Sequence, residues 1–166
     1  MITLYPARLI DIDAIWKILQ DAILRRKLDG SIQWQDGYPN LKTVKDDIES
    51  SSGYVLKEKD EIIAYVCIKI NDEPAYDNID GKWLSESDYL VIHRLAIATE
   101  QLGKGFAKLI FKLCEEYAFA KNIHSIKVDT NFDNCGMLHI LSKSNYIYCG
   151  EVIMRGGTRK AFEKTF

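Results

Sequence analysis

The residues best placed for chemistry lie in one short run, Thr99-Glu-Gln-Leu-Gly103-Lys104-Gly105-Phe106-Ala107-Lys108. Glycines at 103 and 105 let the backbone turn with its N–H groups outward, and an apolar-periodic helix starts at once, adding the positive end of its dipole. Main chain alone can hold a phosphate in such a turn, with Lys104 or Lys108 adding charge. A glycine-rich turn with no ligand would look the same in isolation, so its surroundings have to decide. The triphosphate-binding pattern GxxxxGK[ST] is absent. A dinucleotide fold would set its ribose acid near Asp129, but too few residues follow for the second half of a doubly wound sheet.

The elements that must position this loop can be read from periodicity. Tyr89 to Ala98 (YLVIHRLAIA) predicts the strongest strand, and Phe106 to Ala120 a strong helix with Ala107, Ile110, Phe111, Cys114, Tyr117 and Ala118 on one side. Upstream, Ile12, Ile15, Trp16, Leu19, Ala22 and Ile23 recur at helical spacing over Asp11 to Leu28, with Asp11 as the expected N-cap and Gly30 as the stop. A loop, SIQWQDGYP, leads to a shorter helix capped near Asn40. Tyr54 to Leu56, a turn at Lys59 and Asp60, and Ile62 to Ile70 predict a hairpin. Asn71 to Asp88 has no period and reads as a long loop. A strand at Ser125 to Thr130, a helix from about Asn134 to Lys143, and strands at Tyr146 to Met154 and Lys160 to Phe166 complete the chain. The order predicts an α/β fold of one mixed, mostly antiparallel central sheet flanked by helices.

With 166 residues the expectation is a single domain spanning 1–166. The net charge of -2, with acids and bases interleaved, gives no basic stripe for nucleic acid, so no nucleic-acid partner is expected. No window reaches the ~18 apolar residues of a membrane span and the start does not read as a leader, so the protein is expected in the cytoplasm, away from the membrane. Cys67, Cys114, Cys135 and Cys149 contain no CxxC pair and read as free thiols, and no metal site is expected.

His93-Arg-Leu-Ala-Ile97, Gly103-Lys-Gly-Phe-Ala107, Asp129-Thr and Asn134 followed by Met137, Lys143 and Tyr146 together resemble the core of the GNAT superfamily of N-acyltransferases. The segments DIDAIWKIL, QWQDGYPN, YDNIDGKWL and YCGEV are similar to one bacterial branch of it, which extends the likeness over nearly the whole chain. The resemblance implies a GNAT-like fold and acetyl-CoA (coenzyme A) as acyl donor to a primary amine of a small molecule or peptide. It implies that the backbone of Leu95, Ala96 and Ile97 bonds the pantetheine arm, that Leu102 to Ala107 hold the pyrophosphate, and that Asn134 lies near the pantetheine. In this family Gln or Arg usually stands two residues before the Lys104 position, where this chain has Leu102. The tyrosine that often protonates the departing thiolate is replaced by Leu141.

Acetyl transfer needs a deprotonated amine, and His93, on the strand implied to line the acetyl group, is the candidate base. A histidine packed into the sheet is the competing reading. A backbone N–H near Leu95 can serve the oxyanion. Tyr148, or Tyr146, could replace the missing acid or simply fill the core, and Cys135 has no sequence-local base to make it a nucleophile. Trp34, Tyr38 and Trp83 either grip the acceptor or pin their loops. A catalytically weak acyl-CoA-binding module is the alternative function, and a homodimer is left open.

Overall fold

The computed structural model describes residues 2–166. Eight strands hydrogen-bond in the order β1-β2-β3-β5-β6-β8-β7-β4: β1 (Leu4–Pro6), β2 (Gly53–Glu58), β3 (Glu61–Ile70), β4 (Asp80–Gly81), β5 (Leu90–Ile97), β6 (Ser125–Thr130), β7 (Ile147–Met154) and β8 (Gly157–Thr165). β5 and β6 pair in parallel through Leu90↔Ile126 and Val91↔Lys127, whereas β1–β2, β2–β3, β6–β8, β7–β8 and β4–β7 are antiparallel. Four α-helices accompany them: α1 (Ile12–Leu28), α2 (Leu41–Glu49), α3 (Phe106–Ala120) and α4 (Cys135–Lys143). The fold is the mixed α/β architecture expected from the sequence.

The chain divides into two compact units, one running to Ile68 and joined by His93–Leu113, the other formed by Lys69–Ile92 and Cys114–Phe166. In the first unit, Ile15, Ile18, Leu19 and Ala22 of α1 bury their side chains with Val44 of α2, Val55 and Tyr65 of the hairpin, and Ala96 of β5. Each large aliphatic buried this way contributes roughly 1.5–3 kcal/mol. Asn40 caps α2 as expected, its Oδ1 accepting the Thr43 N–H at 3.0 Å. Asp11 stands at the N-cap position of α1 as expected, but its side chain makes no bond to that helix: it also ends a 3-10 turn, Leu9–Asp11, and its carboxylate accepts the Arg8 N–H at 2.9 Å. The cap is spent one turn earlier than periodicity suggested, because the helical register already begins in that turn.

In the second unit, Tyr76, Val91, Val152 and Ala161 form a core against which Ile79, Trp83, Tyr89 and Met154 pack. The segment read as a loop, Asn71 to Asp88, contains a 3-10 turn at Pro74–Asn78 and the two-residue strand β4. β4 pairs with β7 through Gly81↔Gly150, where a Cβ on Gly81 would stand 2.2 Å from the Cys149 carbonyl oxygen and one on Gly150 would stand 2.2 Å from that of Asp80. Two glycines without side chains allow the backbones this close, which is why a non-periodic stretch is fastened to the sheet.

Candidate functional site

The first unit carries the glycine loop. Gly103 and Gly105 have φ of +75° and +83°, and a Cβ at either would meet nothing within 4 Å. The glycines serve the path of the chain rather than packing, since other L-residues rarely adopt this φ. Leu102, Gly103, Lys104, Gly105 and Lys108 are exposed, Phe106 and Ala107 partly so. The first helical bond runs from the Leu109 N–H to the Gly105 carbonyl at 3.1 Å, and the Leu102 N–H goes to the Thr99 carbonyl at 3.3 Å, so among the described residues the N–H groups of Gly103 to Lys108 are the ones left to an external acceptor. Lys104 Nζ lies 2.9 Å from Gln101 Oε1. The loop is anchored by Arg25 of α1, which donates to Thr99 Oγ1 at 2.8 Å and to the Ile97 carbonyl at 3.1 Å. An open backbone turn at the start of a 15-residue helix suits a pyrophosphate.

Leu95, Ala96 and Ile97 are buried along β5, so their side chains are core and only their backbone could meet a ligand. His93, on the same strand, is partly buried. Arg94 beside it has φ of +51°, a left-handed kink inside a strand. Its guanidinium makes a bidentate pair with Asp47, Nε to Oδ2 at 2.8 Å and Nη2 to Oδ1 at 2.6 Å, and also donates to Tyr38 Oη and Cys67 Sγ. Asp47 further accepts the Tyr65 hydroxyl at 2.6 Å. Burial works against the charge of Arg94, but Cys67, Tyr38 and Asp47 outweigh it and hold its pKa above the ordinary value. Burial pushes the Cys67 thiol up to about 11, against the pull of Arg94. Tyr38 is thereby tied to the kinked strand. Trp34 is 7% exposed within the core, with the Arg26 guanidinium 4.2 Å from its ring.

The second unit holds Asn134, Tyr148 and Trp83. Asn134 caps α4, its Oδ1 accepting the Met137 N–H at 3.2 Å. Leu141 is completely buried, so that helix presents no proton donor there. Tyr148 is 52% exposed on β7, edge-on to Phe162. Tyr146 is buried, and burial raises its pKa, with Glu115 and Cys114 adding. Cys135 is exposed at the start of α4.

Trp83 donates its indole N–H to the Tyr76 carbonyl at 2.9 Å, and Tyr76 donates its hydroxyl to Asp129 at 2.7 Å. Lys127, absent from the sequence-level candidates, places its Nζ 4.5 Å from the Trp83 ring centroid and 4.0 Å from that of Tyr89. Burial lowers its pKa, partly offset by Glu163, Cys149 and Asp77. Arg94, Asp47 and Lys127 were all missed. For Arg94 and Lys127 the available signal was a charge inside an apolar strand pattern, LVIHRLAI or SIKVDT, where burial demands a partner.

A mixed sheet, and a buried strand leading into an open glycine turn at a helix start, have the geometry that a phosphate-bearing ligand requires. The sequence model of the acetyltransferase (GNAT) family matches residues 14–145. The GNAT-family acetyltransferase of Streptococcus agalactiae 2603 is 33% identical, with a TM-score of 0.92 covering 99% of this chain and 95% of that one. The chain belongs to the GNAT acetyltransferase family, whose members are N-acetyltransferases. A GNAT acetyltransferase from Listeria monocytogenes 4b F2365 shares the fold at 16% identity and TM-score 0.77, covering 99% and 95% of the two chains. So does an aminoglycoside acetyltransferase solved with ribostamycin and coenzyme A, at 20% identity and TM-score 0.71, covering 99% and 93%. No curated protein matches the sequence. Among the described residues, no helix is long and apolar enough to cross a membrane.

Proposed function

We propose that residues 1–166 act as one acetyl-CoA-dependent N-acetyltransferase domain in the cytosol, transferring acetyl to a primary amine by direct attack within a ternary complex. The observation that carries this is the open turn of Gly103 and Gly105 at the start of α3, in a chain of the GNAT family. Coenzyme A bound in one fold relative supports acetyl-CoA as donor, and that donor, when bound, supplies an activated thioester carbonyl. The turn from Leu102 to Ala107 holds its pyrophosphate through the N–H groups of Gly103 to Ala107, Lys104 and Lys108 add charge, and the backbone of Leu95 to Ile97 aligns with its arm. Asn134 contributes a polar contact to that arm. His93 accepts the proton of the acceptor ammonium, so that the nitrogen can form the new N–C bond as the C–S bond breaks. Tyr148 gives a proton to the departing sulfur and is restored by the second proton, which the nitrogen loses as it becomes the amide. Tyr38 and Trp83 contact the acceptor, for which an aminoglycoside in one fold relative supports a small-molecule amine.

Burial of Leu141 favours a second reading, a catalytically weak acyl-CoA sensor, because the helix then lacks an acid. Release of free CoA thiol from acetyl-CoA, followed over a panel of amines, separates the two. The proposal expects turnover with at least one amine, abolished by Gly105→Glu, which places a charged side chain in the turn. Saturable acetyl-CoA binding with no thiol release across polyamine, amino-acid, aminoglycoside and peptide amines would favour the sensor.

A further inference from the structure

The second unit contains a cavity of about 520 Å³ lined by residues that include Tyr76, Trp83, Tyr89 and Lys127, a size typical of small-molecule pockets. Lys127 is only 4% exposed, yet it lines this cavity. Its ammonium rests against two ring faces, which attract a cation but take none of its three N–H donors as a carboxylate would. Among the described residues no side chain or carbonyl accepts a hydrogen bond from it.

Glu163, the charge that most opposes the fall in its pKa, is committed elsewhere. Its Oε2 accepts the backbone N–H groups of Leu84 and Ser85 at 2.6 and 3.3 Å, and its Oε1 accepts the hydroxyls of Ser85 and Ser125, both at 2.6 Å. Asp77, Lys82 and Glu86, which also line the cavity, are exposed and therefore screened by solvent. The polar group offered to a ligand is thus the ammonium of a buried lysine, open to the cavity, with unused donors and two aromatic faces beside it. An anion that meets it there gains charge-assisted hydrogen bonds.

We propose that this cavity is a carboxylate-binding subsite for a small aromatic acid, its ring among Tyr76, Trp83 and Tyr89 and its carboxylate accepting from Lys127 Nζ.

The test needs no acetyl-CoA, so its failure is distinct from failure of the thiol-release assay. Phenylacetate and its neutral counterpart phenylacetamide are titrated against the intact protein, following indole fluorescence, with W83F to assign the signal and K127M to remove the ammonium. Saturable binding of phenylacetate at least about tenfold tighter than the amide is expected, the margin of one charge-assisted hydrogen bond. W83F should lose the signal and K127M the preference. Equal response to acid and amide, no saturable response to either, or an undiminished preference in folded K127M would overturn the proposal. The acid-to-amide comparison on the unaltered protein stands even where K127M does not fold.

Discussion

Arg94 of β5 and Lys127 of β6 are both cations set into apolar strands, and the structure treats them in opposite ways. Arg94 sits in a closed network, its guanidinium matched two-to-two with Asp47 and two further donors taken by Tyr38 and Cys67. Lys127 sits in an open one, with ring faces beside it and the carboxylate of Glu163 already occupied by four donors. The planar fork of arginine suits a fixed bidentate partner, whereas the compact ammonium of lysine can turn its donors towards an arriving one. A closed network holds backbone, here the kink that separates His93 from Leu95. An open one has recognition capacity left over.

The contrast can be broken most forcefully at Asp47. Asp47→Ala leaves the Arg94 guanidinium buried beside groups that cannot neutralise it, and should cost about 3–5 kcal/mol in urea unfolding. A loss below about 1 kcal/mol would mean the network is not closed as described. Gly81→Ala comes next, because its methyl would collide with the Cys149 carbonyl and prise β4 from β7. It should cost roughly 1–3 kcal/mol and make the segment around Trp83 easier to cut by protease, leaving the Asp47 network untouched.

Lys127→Met should change stability by only about 1 kcal/mol at neutral pH, and in the stabilising direction, since it replaces a buried cation lacking a hydrogen-bonded partner by an apolar isostere. The sign has a pH signature. The folded pKa of Lys127 lies below the unfolded value, so the unfolded chain binds more protons between the two, and stability of the unaltered protein rises with pH across that window. The advantage of Lys127→Met should therefore be largest at neutral pH and shrink as pH approaches about 10. Thermal unfolding at stepped pH checks this, and an advantage that grows with pH would contradict it.

The smallest effect sharpens the closed side. Burial raises the pKa of Cys67, to about 11, and of Cys114 and Cys149 as well, while Cys135 is exposed. A thiol reagent at mildly alkaline pH should modify Cys135 alone in the native protein and all four cysteines in denaturant.

These two regions also mark where the sequence was legible. Periodicity gave α3 and β6 their observed ends, and turn chemistry placed Lys59 and Asp60, both at positive φ, between β2 and β3. The glycine loop was legible because its signal is local: two glycines and a helix start within a few residues. The partners of Arg94 and Lys127 were not, because Asp47 comes from α2 and Trp83 from a stretch with no period. Their pairing depends on long-range packing that neither helical nor strand spacing encodes. β4 escaped for a related reason, since the Gly81–Gly150 approach is a pairwise fit between distant positions. Trp34 shows the converse: an aromatic in a polar loop reads equally as a binder or an anchor, and nothing in its spacing foretells its 7% exposure.

The central claim is that the turn at Gly103 and Gly105 holds the pyrophosphate of acetyl-CoA. Calorimetric titration of acetyl-CoA into the unaltered protein and into Gly105→Glu tests it most directly. The account predicts saturable binding at one site per chain, lost in Gly105→Glu while its melting profile stays cooperative. No binding to the unaltered protein, or equal binding to both, would contradict it.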